Sequence, residues 1–212
     1  MTTAASALLA LAVLAAVGDW IAVIRARKPL EYICKPLAIT ALIAVAATLD
    51  PRSSDQQLAF VIALGLSLAG DVALMVPSDR FVVGLSAFLL AHVAYIVGFA
   101  IAGGSTGAYA LGAAAVAVLA LPLAARYVRA LRRAGRRELV FPVLLYVGAI
   151  GAMVASAIAV GNALAIVGAS LFFVSDSLIA ETRFVGPRSW GALAIIVTYH
   201  LAQVSLVLSL VS

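Results

Sequence analysis

Two aspartates lie inside apolar runs where a charge is expensive. Asp71 sits in Ser67-Leu-Ala-Gly-Asp-Val-Ala-Leu-Met75, and Asp176 in Leu171-Phe-Phe-Val-Ser-Asp-Ser-Leu-Ile179. An ionised aspartate at the centre of a membrane helix costs about 2.5–3.5 kcal/mol. Such a residue usually faces the bundle interior and marks a functional site. Two carboxyls that share a shielded site settle into different protonation states, one an acid and one a base. Lys35 could hold one of them ionised, contact a substrate, or be one more topology charge. The structural alternative is an Asp–Lys pair that only joins helices.

Other polar side chains accompany them. Phe88, His92, Tyr95 and Phe99 follow an i, i+4, i+7, i+11 stripe. Tyr199 and Gln203 are spaced i, i+4, and His200 and Gln203 i, i+3; Tyr146 lies on another run. His92, Tyr95, Tyr146, Tyr199 and His200 are candidate substrate contacts, with interhelical hydrogen bonding as the alternative. Asp19, six residues before Arg25, could snorkel to the interface. The two histidines lie on separate runs without a ligand cluster, so no metal site is expected, and nothing implies a cofactor. The sequence has no His-Glu-x-x-His, no Gly-x-Ser-x-Gly and no phosphate loop.

The elements that must position these groups follow from composition. The 212 residues are 65% hydrophobic and 11% charged, with a mean hydropathy of +1.18. Soluble domains hold about 45–50% apolar and 25% charged residues. The chain is therefore read as one all-α domain over residues 1–212, a polytopic membrane bundle. Eight candidate spans fall near 4–24, 33–49, 57–76, 81–101, 107–128, 140–160, 162–180 and 190–211, each near the ~20 residues that cross a bilayer core. Turns are expected at Pro77-Ser-Asp-Arg80, Gly103–Gly107 and Gly161-Asn162. The longest loop is expected at Arg126–Glu138. The apolar start lacks a basic n-region, and its basic residues (Arg25, Arg27, Lys28) follow it, so it reads as a first span rather than a leader.

Charge tests this count. With eight spans, Arg25, Arg27, Lys28, Arg80, Arg126, Arg129, Arg132, Arg133, Arg136, Arg137, Arg183 and Arg188 fall on one side, and only Arg52 on the other. The positive-inside rule then places the basic loops in the cytoplasm of a cell membrane and both termini outside. The net charge of +5 is topological and does not imply nucleic acid. Cys34 is the only cysteine, which excludes an internal disulfide. The sequence carries no signal of oligomeric state. Asp71 lies ~7 Å inside the cytoplasmic end of helix three, and Asp176 at a similar depth on helix seven. Asp19 and Lys35 share that level.

Helices three and seven align Asp71 on Asp176, and helices four and eight each carry one histidine. Helices two and six are each read as opening with proline in the first turn, Pro36 and Pro142. The pattern suggests a parallel 4+4 internal repeat, with chance likeness between apolar helices as the alternative.

Five stretches together resemble the YhhN-like lysoplasmalogenase family: CKPLAIT at 34–40, GLSLAGDVALM at 65–75, GLSAFLLAHVAYIVGF at 84–99, GASLFFVSDSLIAETRF at 168–184 and YHLAQ at 199–203. The resemblance covers nearly the whole chain. It implies an eight-helix membrane hydrolase without a cofactor, surrounded by membrane lipids. The implied substrate is a lysophospholipid of the lysoplasmalogen type, whose vinyl-ether bond is cleaved to a fatty aldehyde and a glycerophospho-alcohol. The family's two essential aspartates map onto Asp71 and Asp176. A vinyl ether yields to acid: protonation of its β-carbon leaves an oxocarbenium ion, which a carboxylate stabilises in the manner of glycosidases. The rival expectation is a proton-coupled small-molecule or lipid transporter.

Overall fold

A helix leaves its first N–H groups without intrahelical partners, and four helices begin where a side chain accepts one of them. Thr2, Ser53, Ser105 and Asn162 accept from the backbone N–H of Ala5, Gln56, Ala108 and Ala165. Each such cap contributes about 1 kcal/mol. In the computed structural model, which describes residues 2–76 and 80–211, these four caps open the odd-numbered helices of an eight-helix bundle. The helices are α1 Thr3–Ile24, α2 Lys28–Thr48, α3 Ser54–Met75, α4 Phe81–Ala102, α5 Thr106–Arg133, α6 Val140–Val160, α7 Ala163–Ala180 and α8 Gly191–Leu208. All eight give candidate spans long and apolar enough to cross a membrane, and no strand occurs among the described residues. The chain is a multi-pass membrane protein.

The expected turns after α4 and α6 are present. Gly103 and Gly161 stop those helices at φ +97° and +75°, in the left-handed half of backbone space that glycine enters freely. Of the turn expected at 77–80, residues 77–79 lie outside the described residues.

Two boundaries differ from expectation. α2 starts at Lys28, and the proline in its first turn is Pro29; Pro36 lies inside the helix. The proline correspondence with Pro142 is therefore lost. α5 continues to Arg133, so most of the basic stretch expected as a loop is helix. Arginine, leucine and alanine are good helix formers. Tyr127 and Leu131, spaced i, i+4, also bury themselves against Leu139 and Val143. Only residues 134–136 and a 3₁₀ turn at Arg137–Leu139 separate α5 from α6.

Sequential helices pair as α1–α2, α3–α4, α5–α6 and α7–α8; α2 meets α3, and α6 meets α7. The bundle closes through α4 on α6 and through α8 on α1 and α2. α5 is peripheral, packing on α6 and on the π-helical turn Glu181–Val185 that follows α7. Lipid is as apolar as the core, so association rests on close packing and polar contacts rather than on water exclusion. Gly168 illustrates the packing: a Cβ there would sit 2.8 Å from Leu206 Cγ and 3.0 Å from the Ala202 carbonyl, so only glycine lets α7 and α8 approach this closely. At the centre, Phe60 stands edge-on to Tyr95 and Phe99 at 5.0 and 5.4 Å.

Candidate functional site

The interior is polar around the two carboxylates that the sequence singled out. Asp71 on α3 is 1% exposed. Lys35, one helix earlier, places Nζ 2.9 Å from Asp71 Oδ1. Tyr199 of α8 donates its hydroxyl to Asp71 Oδ2 at 2.6 Å. The lysine also lies 5.7 Å from the centre of the Tyr199 ring, within cation–π range. Lys35 keeps 15% of its side chain exposed. Its position inside α2, rather than at the start of a helix, is what carries its amine to α3.

Asp176 on α7 has a different setting. Tyr146 of α6 donates its hydroxyl to Asp176 Oδ2. His92 Nε2 of α4 lies 3.5 Å from the same oxygen, at the edge of hydrogen-bonding distance. The ring of His92 is edge-on to Tyr146 at 5.2 Å and to Phe172 at 4.8 Å. No lysine or arginine pairs with Asp176 among the described residues.

Phe172 joins the two centres. It lies one turn before Asp176 on α7, and its ring is 5.5 Å from that of Tyr199. Phe88 of α4 packs edge-on to both Phe172 and Tyr199, at 6.1 and 5.9 Å. Its ring lies against Gly70, where a Cβ would come within 2.7 Å of it. The glycine beside Asp71 thus makes room for the aromatic that packs on both Phe172 and Tyr199.

A narrow apolar cleft reaches Asp176 and Tyr146. Leu85, Phe88, Leu123, Val147, Ile150 and Phe173 form much of its wall. Phe81 and Phe184 line it where α4 begins and α7 has ended, and their rings meet edge-on at 5.9 Å. The Arg183 guanidinium lies 4.8 Å from the Phe81 ring centre. Nearby, Glu181 takes Arg126 in a two-point pair at 2.9 and 2.6 Å, and Arg188 at 2.9 Å. The cleft's outer end therefore lies beside basic side chains. Asp71 does not line it; Leu74, one turn further along α3, does.

Of the residues expected at a site, the structure brings Lys35 and Tyr199 to Asp71, and Tyr146 and His92 to Asp176. Tyr95 and His200 meet neither carboxylate. Tyr95 donates to Gln203 Oε1 at 2.6 Å, and His200 Nδ1 accepts from Trp20 Nε1 at 3.0 Å. Asp19, expected to snorkel, is fully buried instead, because α2 and α8 pack over its part of α1. Phe172 and Trp20 were not anticipated. Phe172 had a signal in its i−4 spacing from Asp176, whereas Trp20 had none. No group of three or more metal-ligating side chains forms among the described residues.

The arrangement belongs to a recognised group of sequences. The YhhN family model matches residues 30–210. Two curated relatives named lysoplasmalogenase, from Mycobacterium bovis (strain ATCC BAA-935 / AF2122/97) and Mycobacterium tuberculosis (strain CDC 1551 / Oshkosh), are each 33% identical over 172 residues. Those alignments cover 79% of this chain but 65% of each relative, so the chain spans less than two thirds of their length. No solved structure matches. Asp71, Asp176 and every partner just described at either carboxylate fall inside the matched segment, and the chain belongs to the YhhN family.

Proposed function

We propose that this protein hydrolyses the vinyl-ether bond of lysoplasmalogen-type lysophospholipids, releasing a fatty aldehyde and a glycerophospho-alcohol. The relatives' name suggests the substrate. The chemistry is supported by one observation above all: a buried Asp71 and a largely enclosed Asp176 sit in one polar interior, the first paired with a cation and the second beside an apolar cleft without one. Asp176 acts as the acid and protonates the β-carbon. Asp71, kept ionised by Lys35, faces the oxocarbenium ion as a counter-charge. The alkyl chain occupies the cleft, and the phosphate lies outward beside Arg183. For both carboxyls to reach one vinyl ether, the reactive end of the lipid advances past Phe88. The basic ends of the helices face the cytoplasm and both termini lie outside, following the positive-inside rule.

Transport is less well supported. Discontinuous helices are common at transporter sites, whereas α2 and α5 continue through Pro36 and Pro122. The test is direct. Purified protein in detergent, given a lysovinyl-ether lipid, releases aldehyde. Asp71→Asn and Asp176→Asn each lower that rate about 10²–10⁴-fold, the usual worth of a general acid or base, while remaining folded. A transporter would release nothing in detergent, and full activity in both variants would end the proposal.

A further inference from the structure

Hydrolysis has a second substrate, water, and the apolar cleft is a poor place to store it. Most of the buried polar atoms without a partner among the described residues lie on α1, α3 and α8; the others are the two ring nitrogens of His92, beside Asp176. Both carboxylate oxygens of Asp19, Ser67 Oγ, His200 Nε2 and Gln203 Nε2 are buried without a hydrogen-bond partner among the described residues. Asp19, Ser67 and Gln203 are 0% exposed, and His200 is 1% exposed. Buried polar atoms are almost always paired with protein or with ordered water. Internal waters typically bind where about three otherwise unsatisfied polar groups converge.

Helical spacing and ring contacts link these groups to Asp71. Trp20, next to Asp19, binds His200 and so ties α1 to α8. The His200 ring is 5.6 Å from that of Tyr199, which holds Asp71. Gln203 is one turn along α8 from Tyr199, and Ser67 is one turn before Asp71 on α3. The charged groups acting on Asp19 are Lys35, Glu31 and Lys28 of α2 and Asp71 of α3. Lys35, partly exposed, gives this polar region an edge toward the outside.

We infer that Asp19, Ser67, His200 and Gln203 hold a file of buried waters that ends at Asp71 and supplies the water consumed in the reaction, from the side opposite the lipid cleft. This rests on the hydrolase reading. Asp176 gives its proton to the β-carbon. A water from the file bonds to the carbon bearing the ether oxygen, and its proton passes to Asp71. As the hemiacetal collapses, Asp71 returns that proton to the departing glycerol oxygen, and the hemiacetal hydroxyl proton goes to Asp176. One water is consumed and both carboxyls are regenerated. Asp19 acts through the water as a positioning residue. It lies outside the segment 30–210 that matches the family, so this part of the device belongs to α1.

Radiolytic hydroxyl-radical labelling read by mass spectrometry tests the file directly, because bound water generates radicals in place. Normalised for intrinsic reactivity and for exposure, the partly exposed Trp20 and the buried Tyr199 label at least about tenfold faster than Phe60 and Phe99, whose surroundings are apolar. Labelling no faster than those phenylalanines overturns the proposal. In the lysovinyl-ether assay, Asp19→Asn lowers kcat about tenfold with KM for lipid unchanged, and Asp19→Glu restores it. Unchanged kcat in Asp19→Asn, or a loss confined to KM, also overturns it. A wild-type protein that labels at Trp20 and Tyr199 but releases no aldehyde would leave the waters in place and remove the hydrolase reading instead.

Discussion

Asp71 is gripped by a lysine and a tyrosine; Asp176 is gripped by a tyrosine and stands near a histidine. The chemistry of the side chain is the same, and the neighbours differ. Each takes one partner from the helix before its own: Lys35 of α2 for Asp71, and Tyr146 of α6 for Asp176. Each takes its other neighbour from a helix distant in sequence: Tyr199 of α8 and His92 of α4. A lysine beside one carboxylate and a tyrosine beside the other separate a carboxylate with a counter-ion from one without. Environment, more than residue type, divides the labour of two acids.

That contrast can be broken most severely at Lys35. Lys35→Met leaves Asp71 buried and uncompensated and lowers stability by about 3–5 kcal/mol. Adding Asp71→Asn recovers most of the loss, as thermal unfolding in detergent would register. Recovery absent from the double variant would mean that Lys35 acts through other contacts.

The tyrosines sharpen the comparison at smaller scale. Tyr199→Phe removes a hydrogen bond to an ion-paired carboxylate and costs about 1.5–3 kcal/mol. Tyr146→Phe costs about 0.5–1.5 kcal/mol if Asp176 carries its proton. Equal losses in denaturation curves would argue that the two carboxyls share one charge state.

On the cleft side, shortening the alkyl chain of the lipid by one buried CH₂ removes about 0.8 kcal/mol. KM then rises about fourfold per carbon with kcat steady, as a homologous series of lysovinyl ethers would show. The smallest effect lies at the rim. Arg188→Ala breaks an exposed pair with Glu181, worth about 0.2–1 kcal/mol, and leaves both carboxylate centres untouched. An altered aldehyde rate at saturating lipid would show that the rim communicates with the chemistry.

The spans were legible because lipid imposes a length on apolar runs, and because the basic residues fall on one side only when all eight are counted. Asp71 and Asp176 were legible because a carboxylate in such a run demands a reason. What the sequence could not give was partnership between distant helices. The Tyr199–Asp71 bond joins residues 128 positions apart, and nothing local in either helix names the other. Pro36 misled because Pro29 lies ahead of it, beside the basic cluster, and already serves the helix start. The basic stretch after residue 126 looked like a loop by charge, although its arginines, leucine and alanines favour helix. The distance of Asp19 from Arg25 suggests an interfacial side chain; its burial depends on α8, which is far away in sequence.

A phenol carries a single proton. In this interior Tyr146 and Tyr199 have both committed theirs to aspartates, and the ammonium of Lys35 is engaged as well. Cleaving an ordinary acyl lysolipid would place negative charge on a carbonyl oxygen, which needs donors waiting for it. The hydroxyls nearest the two carboxyls have their protons already spoken for, so under the vinyl-ether reading an ester-linked lipid of the same shape would find neither of them free to meet a carbonyl oxyanion.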